Sequence, residues 1–171
     1  MNGTTRSREY LTCAESAAML RASLKRNFPG VKFSVRSKTY SGGASVRIGW
    51  NNGPTTEQVN RVACRFEGAD FDGMQDLKTN KTQLLVDERG DVREVIFGSD
   101  FIFCDRNVSE SIEAGIVAAL RENWEPKQRD SYDARPYEWH SRARQAYSRI
   151  EIPTGEPEAI TIKRAVEAYF A

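Results

Sequence analysis

Val31-Lys-Phe-Ser-Val-Arg-Ser-Lys-Thr-Tyr-Ser-Gly-Gly-Ala-Ser-Val-Arg-Ile-Gly-Trp50 decides the fold, because it alternates on both sides of a glycine pair. Val31, Phe33 and Val35 interleave with Lys32, Ser34 and Arg36; on the return Val46, Ile48 and Trp50 interleave with Ser45, Arg47 and Gly49. Successive side chains of a strand point to opposite faces, so this pattern predicts a β-hairpin with an apolar face and a basic one. Lys38 and Tyr40 fall near its tip. The connection from Lys38 to Gly43 reads as longer than a two-residue turn, with Gly42 and Gly43 free to take positive φ.

Upstream, Thr12-Cys13-Ala14-Glu15 matches a capping box. A helix is expected from there to about Phe28, with Cys13, Ala17, Leu20, Leu24 and Phe28 as its stripe and Pro29-Gly30 as its stop. Arg21 and Lys25 fall off that stripe. As like charges one turn apart they slightly disfavour the helix, so they are either used or fully solvated. Downstream, Asn51-Asn52-Gly53 ends the hairpin and Pro54 suits the start of a second helix, over 55–66, with Val59, Val62, Ala63 and Phe66 on its apolar side. Residues 67–74 read as a loop, and 83–86, 93–97 and 100–104 as short strands, with a turn over 88–91 between the first two.

A third helix from Asn107 or Ser109 carries Ile112, Ile116, Ala119, Leu120 and Trp124. Apolar periodicity lapses over 125–136, which reads as a linker. Trp139, Ala143, Ala146, Tyr147 and Ile150 then form a fourth stripe, and Ile162, Ala165, Val166 and Tyr169 a fifth. The expected fold is α+β: a small antiparallel sheet built around the basic hairpin, with helices in α-β-β-α-β-β-α order and a C-terminal helical extension. The expected division is a core over 10–124, the linker, and the extension over 137–171.

Charge is unevenly placed. Of 171 residues, the first fifty hold nine Lys and Arg against two Glu, and the remainder holds 16 against 22, so a net charge of +1 conceals local values of +7 and −6. Such asymmetry suggests an electrostatic partner surface. The best apolar run, Ile116–Leu120, is far short of the roughly 18 residues a membrane span needs. The polar N-terminus lacks a signal-peptide pattern, so cytoplasmic residence and no membrane partner are expected. Cys13, Cys64 and Cys104 are odd in number and widely spaced, which supports neither a disulfide framework nor a zinc site and favours buried thiols.

Catalytic signatures are weak. His140 is the single histidine and has no nucleophile motif near it. Asp70, Asp72, Asp76, Asp87, Glu88 and Asp91 do not follow an EF-hand spacing and read as solvated turn carboxylates. In Glu125-Pro126-Lys127 the proline would interrupt the strand on which a nuclease Glu-x-Lys arm normally sits. Ser41-Gly42-Gly43 joins two strands instead of opening a helix, unlike a nucleotide-binding loop. No catalytic residue, metal set or cofactor is assigned.

The basic group remains: Arg21, Lys25, Lys32, Arg36, Lys38 and Arg47, on the first helix and the hairpin, suited to a phosphate backbone. Trp139, Arg142, Arg144, Tyr147 and Arg149 interleave aromatic and basic groups in the tail, where docking onto the core is the simpler role. Phe28-Pro29-Gly30 through Lys38, Tyr40-Ser41-Gly42-Gly43, Val46, Trp50, Gly53-Pro54-Thr55, Phe66-Glu67-Gly68 and Phe71-Asp72-Gly73-Met74 together carry a resemblance. Over about residues 10–105 the chain resembles the large polyvalent protein-associated domain of type 29, found in multidomain proteins of phages and conjugative elements and in small stand-alone proteins. The resemblance implies a compact α+β module that accompanies or acts on invading DNA, without agreed catalytic residues. The function expected is non-catalytic binding of nucleic acid or another anionic surface through the basic hairpin and helix. The alternative is a protein inhibitor of a host defence or replication complex, with a host or element-encoded protein as its partner.

Overall fold

The computed structural model describes residues 8–72, 74, 77–86, 90–124 and 136–171. The linker expected over 125–136, the Glu125-Pro126-Lys127 run, and Asp76, Asp87 and Glu88 lie almost entirely outside them. The order is β1 (Arg8–Tyr10), α1 (Cys13–Asn27), β2 (Ser34–Tyr40), β3 (Gly43–Asn51), α2 (Thr56–Ala63) with a 3-10 turn (Cys64–Phe66), β4 (Ala69–Asp72), β5 (Leu77–Asn80), β6 (Gln83–Val86), β7 (Val92–Ile96), β8 (Phe101–Asn107), α3 (Glu110–Glu122), α4 (Pro136–Ser148) and α5 (Glu158–Phe170). This is an α+β chain. No described helix is long and apolar enough to cross a membrane.

Among the described residues the strands form three small sheets, β1-β7-β6, β2-β3-β8 and β4-β5, in place of the one antiparallel sheet expected. β1 runs parallel to β7, with Tyr10 opposite Ile96. Its three residues are too few to show a period, which is why the polar lead hid a strand. The expected loop over 67–74 contains β4, paired antiparallel with β5. The hairpin turn is also tighter than expected. Tyr40 pairs with Gly43, leaving Ser41 and Gly42, and Gly42 takes φ +88°. Gly43 permits this closure: a Cβ there would lie 2.8 Å from Asp100 Oδ2 and 3.0 Å from the Tyr40 ring.

The chain divides into two compact units. One runs to Gly49 and from Val59 to Asp105; the other comprises Trp50–Gln58 and the chain from Arg106 onward. In the first, the capping box forms as the sequence implies: Glu15 N donates to Thr12 Oγ1 and Thr12 N to Glu15 Oε2, at 3.2 and 2.7 Å. The α1 stripe of Cys13, Ala17, Leu20 and Leu24 is buried, as are Val35, Val46 and Ile48 of the hairpin, and α1 packs on β2. Buried Ser16 is satisfied, donating to Thr12 O and accepting from Gly98 N at 2.9 and 3.0 Å.

Gly98 marks a close crossing. A Cβ on it would sit 2.3 Å from Leu11 O, and one on Gly68 would sit 1.6 Å from Phe97 O. Ser99 completes the junction: its hydroxyl donates to Phe66 O and its carbonyl accepts from Gly68 N, at 2.5 and 2.9 Å. Backbone approaches this close leave no room for a side chain.

In the second unit α3, grouped by sequence with residues 10–124, packs against α4 and α5. Ile112, Ile116 and Leu120 share one core with Trp139, Ala143, Ala146, Tyr147, Ile150 and Ala165. The tail's aromatic residues on the apolar stripe are therefore packing residues: Trp139 is buried, and Arg142 reaches Tyr169 Oη at 2.9 Å. Arg106, at the end of β8, organises the loops around this core. Its guanidinium donates to Asn52 O, Gly53 O, Tyr147 O and Ile150 O at 2.9–3.2 Å. Burial pushes it down to about 10, so it remains charged at neutral pH. Asn52, with φ 54°, also accepts from Ser109 N at the start of α3.

Two stability outcomes follow. Gly68→Ala should lower the urea midpoint by the equivalent of about 3 kcal/mol, because the crossing must open, whereas Gly49→Ala stays within about 1 kcal/mol; a Cβ on Gly49 meets only ordinary contacts near 4.0 Å. Arg106→Lys replaces a planar fork by a point donor and leaves buried carbonyls unpaired, at a cost of about 3 kcal/mol in the same measurement.

Candidate nucleic-acid interface

Register places the predicted cations. Opposed residues of an antiparallel pair share a face. Arg36 lies opposite Arg47, Lys38 opposite Ser45 and Tyr40 opposite Gly43. Val35 and Ile48, opposite each other, face the core and are buried. Arg36, Lys38, Tyr40 and Arg47 therefore emerge together on the open face, as the alternation implied. Two like charges directly opposed cost the hairpin a few tenths of a kcal/mol or more, roughly 0.2–1.

β8 adds what the hairpin alone could not reveal. Ile102 is buried, whereas Phe101 and Phe103 remain 44% and 45% exposed. Their rings are stacked, with centroids 6.4 Å apart and planes at 25°. The Arg47 guanidinium lies over Phe103, 5.4 Å from its centroid, and pairs with Asp105 at 2.5 Å. The open face thus combines three cations, three exposed aromatic rings and one acid. The hairpin itself puts no acid on this face; Asp105 comes from β8. That pair is half exposed on both sides, so screening leaves it weak and Arg47 available for exchange. At the hairpin end Asp100 is engaged elsewhere, accepting from Ala44 N and pairing with Lys78 at 2.6 Å.

The other three cations gather apart from these. β2 begins only at Ser34, so Lys32 lies before the strand and does not share the hairpin face. Val31 N instead donates to Phe28 O at 3.3 Å, and Gly30 takes φ +85°, turning the chain at the end of α1. Arg21, Lys25 and Lys32 line a cleft of about 470 Å³ floored by Phe28, Phe33 and Val31. Arg21 is used structurally as well: its Nη2 donates to Val35 O at 2.8 Å. Among the described residues no carboxylate forms an ion pair with Lys25, Lys32, Arg36 or Lys38.

Other candidate chemistry does not converge. Among the described residues no cluster of three or more His, Cys, Asp or Glu is arranged to hold a metal. His140 is exposed, with Nδ1 3.0 Å from Glu113 Oε1. All three cysteines are free; Cys13 is buried, Cys104 half-buried and Cys64 exposed, so the expectation of buried thiols fails at Cys64. Burial, aided by Asp105, pushes the Cys104 thiol up to about 11, which removes its thiolate at neutral pH.

The cations, the tight glycine turn and the Gly68 crossing all lie within residues 11–109, the span matched by the family model described as large polyvalent protein associated domain 29. The chain belongs to this family. Neither a curated protein nor a solved structure matches it. The domain is thus one associated with large polyvalent proteins, and within it Phe28, Gly30, Tyr40, Gly43 and Gly68 have structural explanations: two shape the turn and cleft, two close the hairpin, and one permits the crossing.

Phe101 and Phe103 were legible in principle. Phe101-Ile102-Phe103-Cys104-Asp105 alternates, and its aromatic positions fall opposite to the apolar Ile102. With a maleimide dye near neutral pH, Cys64 should label within the time in which Cys104 remains unmodified; preferential labelling of Cys104 would contradict its protected, protonated state.

Proposed function

We propose that this domain binds nucleic acid through the open face of the β2-β3-β8 sheet, as a non-catalytic component of a phage or other mobile element. The observation that carries the reading is the emergence of Arg36, Lys38 and Arg47 together, with Arg36 and Arg47 held opposite each other despite their repulsion. An arrangement that costs hairpin stability gains a rationale when phosphates neutralise both cations. Lys32, Lys25 and Arg21, just before β2, would extend the positive surface beyond the end of the sheet. The local charge of +7 in the first fifty residues supports attraction of a polyanion.

Phosphate contact has a measurable signature, since each neutralised phosphate contributes roughly 0.7–0.9 to the slope of log affinity against log salt. The double variant Arg36→Glu/Arg47→Glu should bind at least about tenfold more weakly and lose about 1.5 from that slope. Unchanged affinity across a salt series sinks the reading. A stable complex with a host protein, recovered in the absence of any nucleic-acid affinity, would instead favour the inhibitor alternative.

A further inference from the structure

We infer that the open sheet face selects unpaired strands, with Phe101 and Phe103 as base-stacking platforms; this rests on the nucleic-acid reading above. An outward-facing sheet surface ordinarily presents polar side chains. Here two phenyl rings, two residues apart on β8, stand nearly half exposed on the same side as Arg47. Tyr40 supplies a third ring at the hairpin end, 43% exposed. Their inward neighbour Ile102 fills the core, while nearly half of each ring remains open to solvent.

The occupant follows from geometry and charge. In a duplex each base is covered above and below by its neighbours, about 3.4 Å apart along a strand, and offers no π-face to a protein. The two phenyl centroids are 6.4 Å apart. Only bases released from the stack can spread to that spacing and lie against both rings. Arg47 lies over the Phe103 ring, and Arg36 and Lys38 follow on β2, beyond β3 on the same face, placed to follow the phosphates of the same strand. Stacking accepts every base and phosphate contact reads no sequence, so recognition is sequence-tolerant. The ligand class is therefore a single-stranded polynucleotide.

The test compares fluorescently labelled strands of about 12 nucleotides of mixed sequence, single-stranded and as the blunt duplex, by anisotropy with the whole chain. Single-stranded DNA should bind at least about tenfold tighter than the duplex. Phe101→Ala and Phe101→Leu should each lose about tenfold on the single strand while leaving the weak duplex binding unchanged, which also verifies folding. Leucine keeps apolar area but removes the π-face, so wild-type affinity in Phe101→Leu overturns stacking. Equal affinity for single strand and duplex overturns the inference but spares the electrostatic reading, and no binding to either overturns both.

Discussion

Two backbones pass in the first unit at a distance that excludes a β-carbon. Phe97-Gly98-Ser99 runs against Leu11–Cys13 on one side and Phe66–Gly68 on the other, with Gly68 N bonded to Ser99 O and Leu11 N to Ile96 O. This crossing joins the end of β7 to the start of α1 and to the segment between α2 and β4. It also sets where the chain emerges to begin β8 two residues later. Whatever the open sheet face does, its aromatic half is positioned by a contact that tolerates only glycine.

A comparable economy operates in the second unit, where one guanidinium replaces several turns' worth of capping. Arg106 satisfies carbonyls from the Asn52-Gly53 turn and from the C-terminal end of α4. Its charge is balanced by carbonyl dipoles without a carboxylate bond, and burial correspondingly lowers its proton affinity. The aromatic residues of the tail, Trp139 and Tyr147, which in sequence look like part of a binding surface, are buried in this packing, while Arg144 and Arg149 stay exposed. Cation-π contact of Arg142 with Trp124, at 4.3 Å, illustrates how the same residue types serve a core instead of a ligand.

The open sheet face differs because its apolar groups are not consumed. Arg36 and Lys38 carry no ion pair among the described residues, Phe101 and Phe103 pack on each other, and Phe103 packs on Arg47. Opposed arginines, neighbouring rings and a single exchangeable acid give a surface poor in internal compensation. The proposed contact with single strands rests on this surface.

Alternation and capping signals in the chain were sufficient for α1, the hairpin faces and the helical stripes of α3, α4 and α5, because each depends on neighbours within a few residues. That local logic also placed Arg36 and Arg47 on one side with Lys38 near the tip, but put Lys32 with them although β2 begins only at Ser34. Tertiary structure alone decided that Lys32, Arg21 and Lys25 gather in a separate cleft, that β1 joins β7 in parallel, and that β8 brings Phe101, Phe103 and Asp105 to Arg47. The last two outcomes depend on which distant backbones can approach, and sequence periodicity carries no information about pairing between segments more than fifty residues apart.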